Sequence, residues 1–230
     1  MSKKVIITGA SRGVGRGIAR VLGKNGFHVG LLARSEEKLR EVADEVNASE
    51  GKAFWATADL RDEQQTTDSI AKLIEQLGGL DVLVNNAGVV IFKTTLELSS
   101  DEWRQMIETN VHGVFYATRA ALPTLLEQGN GHVVNISSIG GYHPIPGASG
   151  YAASKHAVTG FSDSLMQEVR QQGVKVTTVF PGSVDTSSEP ADAWKLSPEE
   201  IGETCLHVLQ TSGNYCISRV EMRPLQPPKR

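Results

Sequence analysis

Three residues carry reactive groups at a spacing that chemistry can use: Ser138, Tyr151 and Lys155. Tyr151 and Lys155 stand four residues apart, so a helix through them puts both side chains on one face, one turn apart. An ammonium beside a phenol favours the ionised form, and the spacing predicts a Tyr151 pKa below its ordinary value of about 10. A tyrosine so tuned gives and takes a proton near neutral pH, as a general acid–base must. Ser138 follows the β-branched run His132–Ile136, which places its hydroxyl at the carboxyl end of a strand. There it can hydrogen-bond an oxygen on which charge develops. Tyr-x-x-x-Lys by itself also fits two surface residues of an ordinary helix. The serine-ended strand before it and the motifs described below weigh against that reading.

The elements that must position these groups alternate along the chain. Strand-like runs fall at residues 4–8, 28–33, 52–57, 81–85, 132–137, 174–180 and 217–222. Several are apolar without polar alternation, as expected when both faces of a parallel sheet are covered. Amphipathic helical patterns lie between them, at 15–24, 35–48, 62–77, 101–126, 151–171 and 198–209. Ser99 with Glu102, and Ser197 with Glu200, each predict a capping box, the second with Pro198 at the first helical position. Pro123 is expected to kink or end its helix. The alternation predicts an α/β chain with right-handed crossovers and a doubly wound parallel sheet of about seven strands.

Length and composition agree with one domain over residues 1–230, with a flexible tail near 224–230. A net charge of -3 lacks the basic excess of a nucleic-acid binder. No apolar run is long enough to span a bilayer, and the Met1–Lys4 start offers no signal peptide. The two cysteines, Cys205 and Cys216, are not spaced as a metal or redox pair. None of the six histidines forms a metal-spaced pair either, so no metal site is expected. The expected location is cytoplasmic.

Where the first strand meets the first helix the chain reads Thr8-Gly9-Ala10-Ser11-Arg12-Gly13-Val14-Gly15. Glycines there permit a tight turn and the close approach of a pyrophosphate to helix N-terminal amides. The same segment spells Gly-x-Ser-x-Gly, the pattern of a hydrolase nucleophile elbow at Ser11. That alternative needs an oxyanion loop on an earlier strand, and none precedes it; Asp185 and His207 are available but nothing ties them to Ser11. At the end of the second strand Ala33 and Arg34 stand where an NAD-binding fold usually places a carboxylate for the ribose hydroxyl. Two guanidiniums, Arg12 and Arg34, suit a 2′-phosphate, which favours NADP(H) over NAD(H).

These motifs together resemble the short-chain dehydrogenase/reductases. The resemblance rests on Thr8 to Gly15, Asp59-Leu60, Asn85-Asn86-Ala87-Gly88, Asn110-x-x-Gly113, Ser138, Tyr151-x-x-x-Lys155 and Pro181-Gly182-x-Val184-x-Thr186. They run in the family's order, and the look is nearest to the 3-oxoacyl-carrier-protein reductase and carbonyl reductase branch. The resemblance implies a Rossmann fold and a role for each position. Gly9, Ser11, Arg12, Gly13, Val14 and Gly15 would wrap the pyrophosphate and adenosine ribose, and Asp59 and Leu60 would meet the adenine. Asn86, Ala87 and Gly88 would support the adenosine side. Pro181, Gly182, Val184 and Thr186 would lie against the nicotinamide. Tyr151 would protonate a carbonyl oxygen, Ser138 would hydrogen-bond it, and Lys155 would hold the nicotinamide ribose. Asn110 would organise a water that links Lys155 to solvent; by itself it only hints at a break inside a long helix.

Residues 187–196 depart from the family. They run almost directly into the Ser197-Pro198 helix start, implying a short substrate lid and an open pocket, with Trp194 as a lid contact or a cap on the core. The ending Arg219 to Pro224 also differs from the glycine-rich terminus of 3-oxoacyl reductases. The expected function is NADPH-dependent reduction of a ketone or aldehyde, with Tyr151 as acid. The alternatives are an NAD-linked alcohol dehydrogenase and a non-catalytic dinucleotide-binding regulatory protein. Intact Asn110, Ser138, Tyr151 and Lys155 speak against the last. Expected partners are a small carbonyl or alcohol substrate and further copies of the chain, as a tetramer or dimer; neither nucleic acid nor membrane is expected.

Overall fold

Val5 and Ile7 of the first strand (β1, Lys4–Thr8) point into one hydrophobic core, and Ile6 between them points into another. The same split recurs in β2 (His28–Ala33), β4 (Val82–Asn85) and β5 (His132–Ile136). Strands with a core on each face need no polar alternation, which is why these runs read as continuously apolar. The structure is a computed structural model that describes residues 2–186 and 194–227.

With β3 (Lys52–Thr57), β6 (Lys175–Pro181) and β7 (Arg219–Met222), the strands form one sheet in the order β3-β2-β1-β4-β5-β6-β7, every pairing parallel. Helices α1 (Gly13–Lys24), α2 (Glu36–Asn47) and α7 (Pro198–Gln210) supply one core through Ile18, Leu39 and Ile201. Helices α3 (Glu63–Leu77), α5 (Gly113–Gln128) and α6 (Ser149–Val169) supply the other through Ile70, Ala121 and Leu165. This is the expected Rossmann architecture, with helices on both faces of a doubly wound sheet. Strand order reverses between β1 and β4, and ligands of such sheets bind in the crevice outside the carboxyl ends there.

Both capping boxes form, at Ser99/Glu102 and Ser197/Glu200. The expected helix at 101–126 is instead three pieces: α4 (Ser100–Ile107), a π-helical turn over Glu108–His112, and α5. The turn contains Asn110, so the break it hinted at is a widened turn in a chain that stays helical. Pro123 does not end its helix, which continues to Gln128. Ala121 and Leu125 are fully buried on either side of it, while Pro123 faces solvent. Packing of that face outweighs a helix-interior proline's cost of about 3 kcal/mol. Of the expected lid, residues 187–193 lie outside the described residues, as do 228–230 of the expected tail. The flanks of the former are stitched together: Val184 bridges to Leu196, and Leu196 exchanges backbone hydrogen bonds with Ser183 and Asp185 at 2.9 and 2.8 Å.

Candidate active site

The glycine turn leaves β1 with Gly9 at φ 67° and Gly13 at φ 51°, conformations that favour glycine. A side chain on Gly9 would begin 2.7 Å from the Ala87 Cα, and one on Gly15 would collide with the Gly9 carbonyl oxygen. The turn is thus packed tightly against the end of β4. Asn86 holds it there, its side-chain amide donating to the carbonyl oxygens of Thr8 and Gly9 at 3.0 and 3.3 Å. The Thr8 hydroxyl accepts from the amides of Asn86 and Ala87 at 3.0 and 3.2 Å. No side chain caps α1, as none caps α2, α5 or α6. The first-turn amides of α1 have no side-chain acceptor, and a pyrophosphate suits them. A Gly13 side chain would meet the Thr186 methyl at 3.2 Å, so the turn borders the segment expected to take the nicotinamide. These residues fit a dinucleotide.

Arg12, in the glycine turn, and Arg34, just after β2, are both exposed. Ala33 pairs with Thr57 in the sheet, which brings the chain after β3 alongside Arg34. Asp59, expected against the adenine, is held by Arg61 through two guanidinium nitrogens, one at 2.6 Å, which keeps its carboxyl below the usual range. Leu60 is buried against Gly113.

The catalytic candidates converge at the carboxyl end of β5. Tyr151 lies in the first turn of α6, 8% exposed, and its ring and the Ser138 hydroxyl both border Gly140. The Ser138 oxygen also accepts from the Gly140 amide at 3.1 Å. Lys155 is buried one turn along and donates to the Ile136 carbonyl oxygen at 2.8 Å. The expectation that Lys155 lowers the Tyr151 pKa is corrected here. Burial pushes the phenol above its ordinary value, partly offset by Ser138, and pushes Lys155 down to about 8. The physical reason is that the ammonium is held by the strand end, away from the phenol, while both groups lose water.

Asn110 clamps the neighbouring segment. Its side chain accepts from the Val89 amide at 2.7 Å and donates to the Val89 carbonyl and the Ser154 hydroxyl, both at 2.9 Å. A side chain on Gly88 would begin 3.3 Å from Asn110 Oδ1 and 3.7 Å from Lys155 Nζ, so these three expected site residues meet. On the nicotinamide side Pro181 ends β6, and the Gly182 amide donates to the Met222 carbonyl at 2.7 Å. Val184 is half-buried and Thr186 exposed. Ser11 is half-buried in the turn; no hydrogen bond joins it to His207, which is exposed in the last turn of α7. Trp194 is half-buried, with the Lys195 ammonium 5.7 Å from its ring.

Sequence reasoning missed Thr8 and Ser154, which orient Asn86 and Asn110, and Phe92, whose ring is 6.1 Å from that of Tyr151. The signal for Phe92 was available: four apolar residues, Val89 to Phe92, follow Gly88 outside any helical pattern. No group of metal-binding side chains occurs among the described residues. No helix among them is long and apolar enough to cross a membrane.

The family model for short chain dehydrogenase matches residues 3–194. An uncharacterized oxidoreductase of Staphylococcus aureus (strain MW2) is 36% identical over 228 residues, covering 97% of each chain. An alcohol dehydrogenase from the archaeon Thermococcus sibiricus, solved with 5-hydroxy-NADP, superposes with a TM-score of 0.93 at 31% identity over 100% of both chains. A metagenomic short-chain oxidoreductase solved with NADP gives a TM-score of 0.88 at 34% identity over 98% of both.

Proposed function

This chain belongs to the short-chain dehydrogenase family of NAD(P)-dependent oxidoreductases acting on alcohol or carbonyl groups, and we propose that it reduces a ketone or aldehyde with NADPH. The observation that carries the proposal is the buried Tyr151 phenol beside Ser138 at the carboxyl end of β5, with Lys155 one helical turn along. NADPH supplies the hydride when bound; the chain's own residues bind it and manage the proton. The glycine turn receives the pyrophosphate, and Arg12 and Arg34 receive the 2′-phosphate. Two relatives solved with NADP or a hydroxy-NADP support that cofactor. The Asp59–Arg61 pair supports it too, because Arg61 holds the carboxylate that stands near Arg34.

Ser138 and Tyr151 both donate to the carbonyl oxygen, and Tyr151 delivers its proton as charge develops there. Lys155 holds the nicotinamide ribose, while Asn110 keeps the Gly88–Val89 segment in place beside it. Pro181, Gly182, Val184 and Thr186 line the nicotinamide side.

The chain works in the cytoplasm as a homo-oligomer paired through α4, α5 and α6. Trp103 and Phe115, 42% and 41% exposed on α4 and α5, support those faces. Light scattering in solution tests this; a monomer at micromolar concentration refutes it.

Parallel fluorescence titrations with NADPH and NADH, followed by a carbonyl screen, test the catalytic reading. Tight NADPH binding with carbonyl-dependent NADPH oxidation supports it. Preference for NADH points instead to NAD-linked alcohol oxidation, and binding of neither refutes it.

A further inference from the structure

The chain leaves β4 as a segment whose apolar side chains alternate. Val89 and Ile91 pack with Met106, Ala148 and Tyr151. Val90 and Phe92 face outward, 51% and 64% exposed. The segment cannot collapse to hide them. Asn110 holds both backbone polar groups of Val89, and Lys93 pairs with Ala148 in an isolated bridge. Phe92 therefore stands as a fixed, solvent-exposed ring beside the Tyr151 ring, centroids 6.1 Å apart and tilted at 51°.

The opposite side of Tyr151 is also apolar. A side chain on Gly140 would begin 3.0 Å from Ile145 Cδ1 and 3.6 Å from both Ser138 Oγ and Tyr151 Cε1. Ile145 thus borders the same two hydroxyl-bearing residues. The charges at this rim are matched within the chain: Lys93 pairs with Glu102, and Arg223 pairs with Glu221.

We infer that Phe92 is a specificity-determining wall of the substrate site, selecting neutral carbonyl compounds that carry a flat aromatic group next to the carbonyl. The ring of such a compound covers Phe92, while its oxygen reaches the Tyr151 and Ser138 hydroxyls. An exposed ring gains both from leaving water and from offset or edge contact with a second ring. The inference rests on the carbonyl-reductase reading of the site.

The test compares benzaldehyde with acetaldehyde as NADPH-dependent substrates of the wild type, Phe92→Ala and Phe92→Leu. Phe92 is exposed, so neither variant removes core packing, and NADPH titration verifies that each is folded. The ratio of kcat/KM for benzaldehyde to that for acetaldehyde is expected to fall about tenfold in Phe92→Ala, through KM rather than kcat. Phe92→Leu is expected to recover part of the loss, since it restores apolar area without the ring. An unchanged ratio in Phe92→Ala overturns the inference and leaves the reductase reading standing. Absence of benzaldehyde turnover in wild type that binds NADPH and reduces other carbonyl compounds also overturns the inference; absence of turnover across the whole carbonyl screen overturns the reductase reading instead.

Discussion

The Lys155 ammonium donates to the Ile136 carbonyl oxygen at 2.8 Å and stands 6.0 Å from the centre of the Tyr151 ring. Helical spacing brings the two side chains to one face, but the strand end holds the charge. Without cofactor, Tyr151 is expected to titrate above the ordinary tyrosine range, because its burial outweighs the Ser138 hydrogen bond. Ser138→Ala should raise it further. An ultraviolet difference titration of wild type against Tyr151→Phe reads this directly; a Tyr151 signal below the ordinary range would refute it.

Tyr151→Phe removes the proton donor and little else. Turnover should drop by about 10²–10⁴-fold, the usual contribution of general acid catalysis. The NADPH dissociation constant should stay within about twofold, since the ring and its packing remain. A variant that retains half of wild-type turnover would show that Tyr151 is not the acid.

Arg34→Ala should weaken NADPH binding by about 10–100-fold, the size of one or two charge-assisted hydrogen bonds, and leave NADH little changed. Equal loss for both cofactors in fluorescence titration would rule out the phosphate role. Arg61→Ala should erode the same preference by a smaller factor, because an unmatched Asp59 then competes for Arg34.

Asn110→Ala leaves the amide and carbonyl of Val89 without their partner. A cost of about 1–3 kcal/mol in unfolding free energy is expected from the unpaired groups. The segment carrying Phe92 should also loosen, visible as faster hydrogen exchange at Val89. Unchanged exchange there would show that the clamp is dispensable.

His132 links stability to pH. It is buried in β5, its ring joined to the Thr177 hydroxyl at 2.7 Å, and burial pushes its pKa down to about 3. The Thr177 hydroxyl donates to the Ile217 carbonyl at 2.6 Å, so it accepts from the histidine, which is neutral with its proton on Nε2. The unfolded chain takes up a proton near pH 6.5 that the folded chain refuses until about pH 3. Stability from this group is full above pH 6.5 and falls as pH drops through that window. Between pH 7 and 5 the loss should approach about 2 kcal/mol, and denaturant unfolding of His132→Gln should show a correspondingly flatter profile. Identical profiles for the two proteins would refute the assignment.

Much of the architecture was legible because its signals are local. Strands such as Lys4–Thr8 and His28–Ala33 were readable from their apolar runs, and both capping boxes from a serine and a glutamate three residues apart. That the helix continues past Pro123 was not legible, because the proline's cost is visible in the sequence, whereas the burial of Ala121 and Leu125 that outweighs it is not. The cofactor and catalytic candidates were named from motif spacing and resemblance, before their surroundings could be known.

The sequence by itself determined the alternation of strands and helices, the glycine turn and the face shared by Tyr151 and Lys155, all consequences of backbone periodicity and residue type. Only the tertiary structure decided which way the Tyr151 pKa moves, what Asn110 and Asp59 hold, and that Phe92 stands exposed beside Tyr151. Each depends on groups brought together from distant parts of the chain. Burial, hydrogen bonding and charge act through space, and spacing along the sequence records none of them.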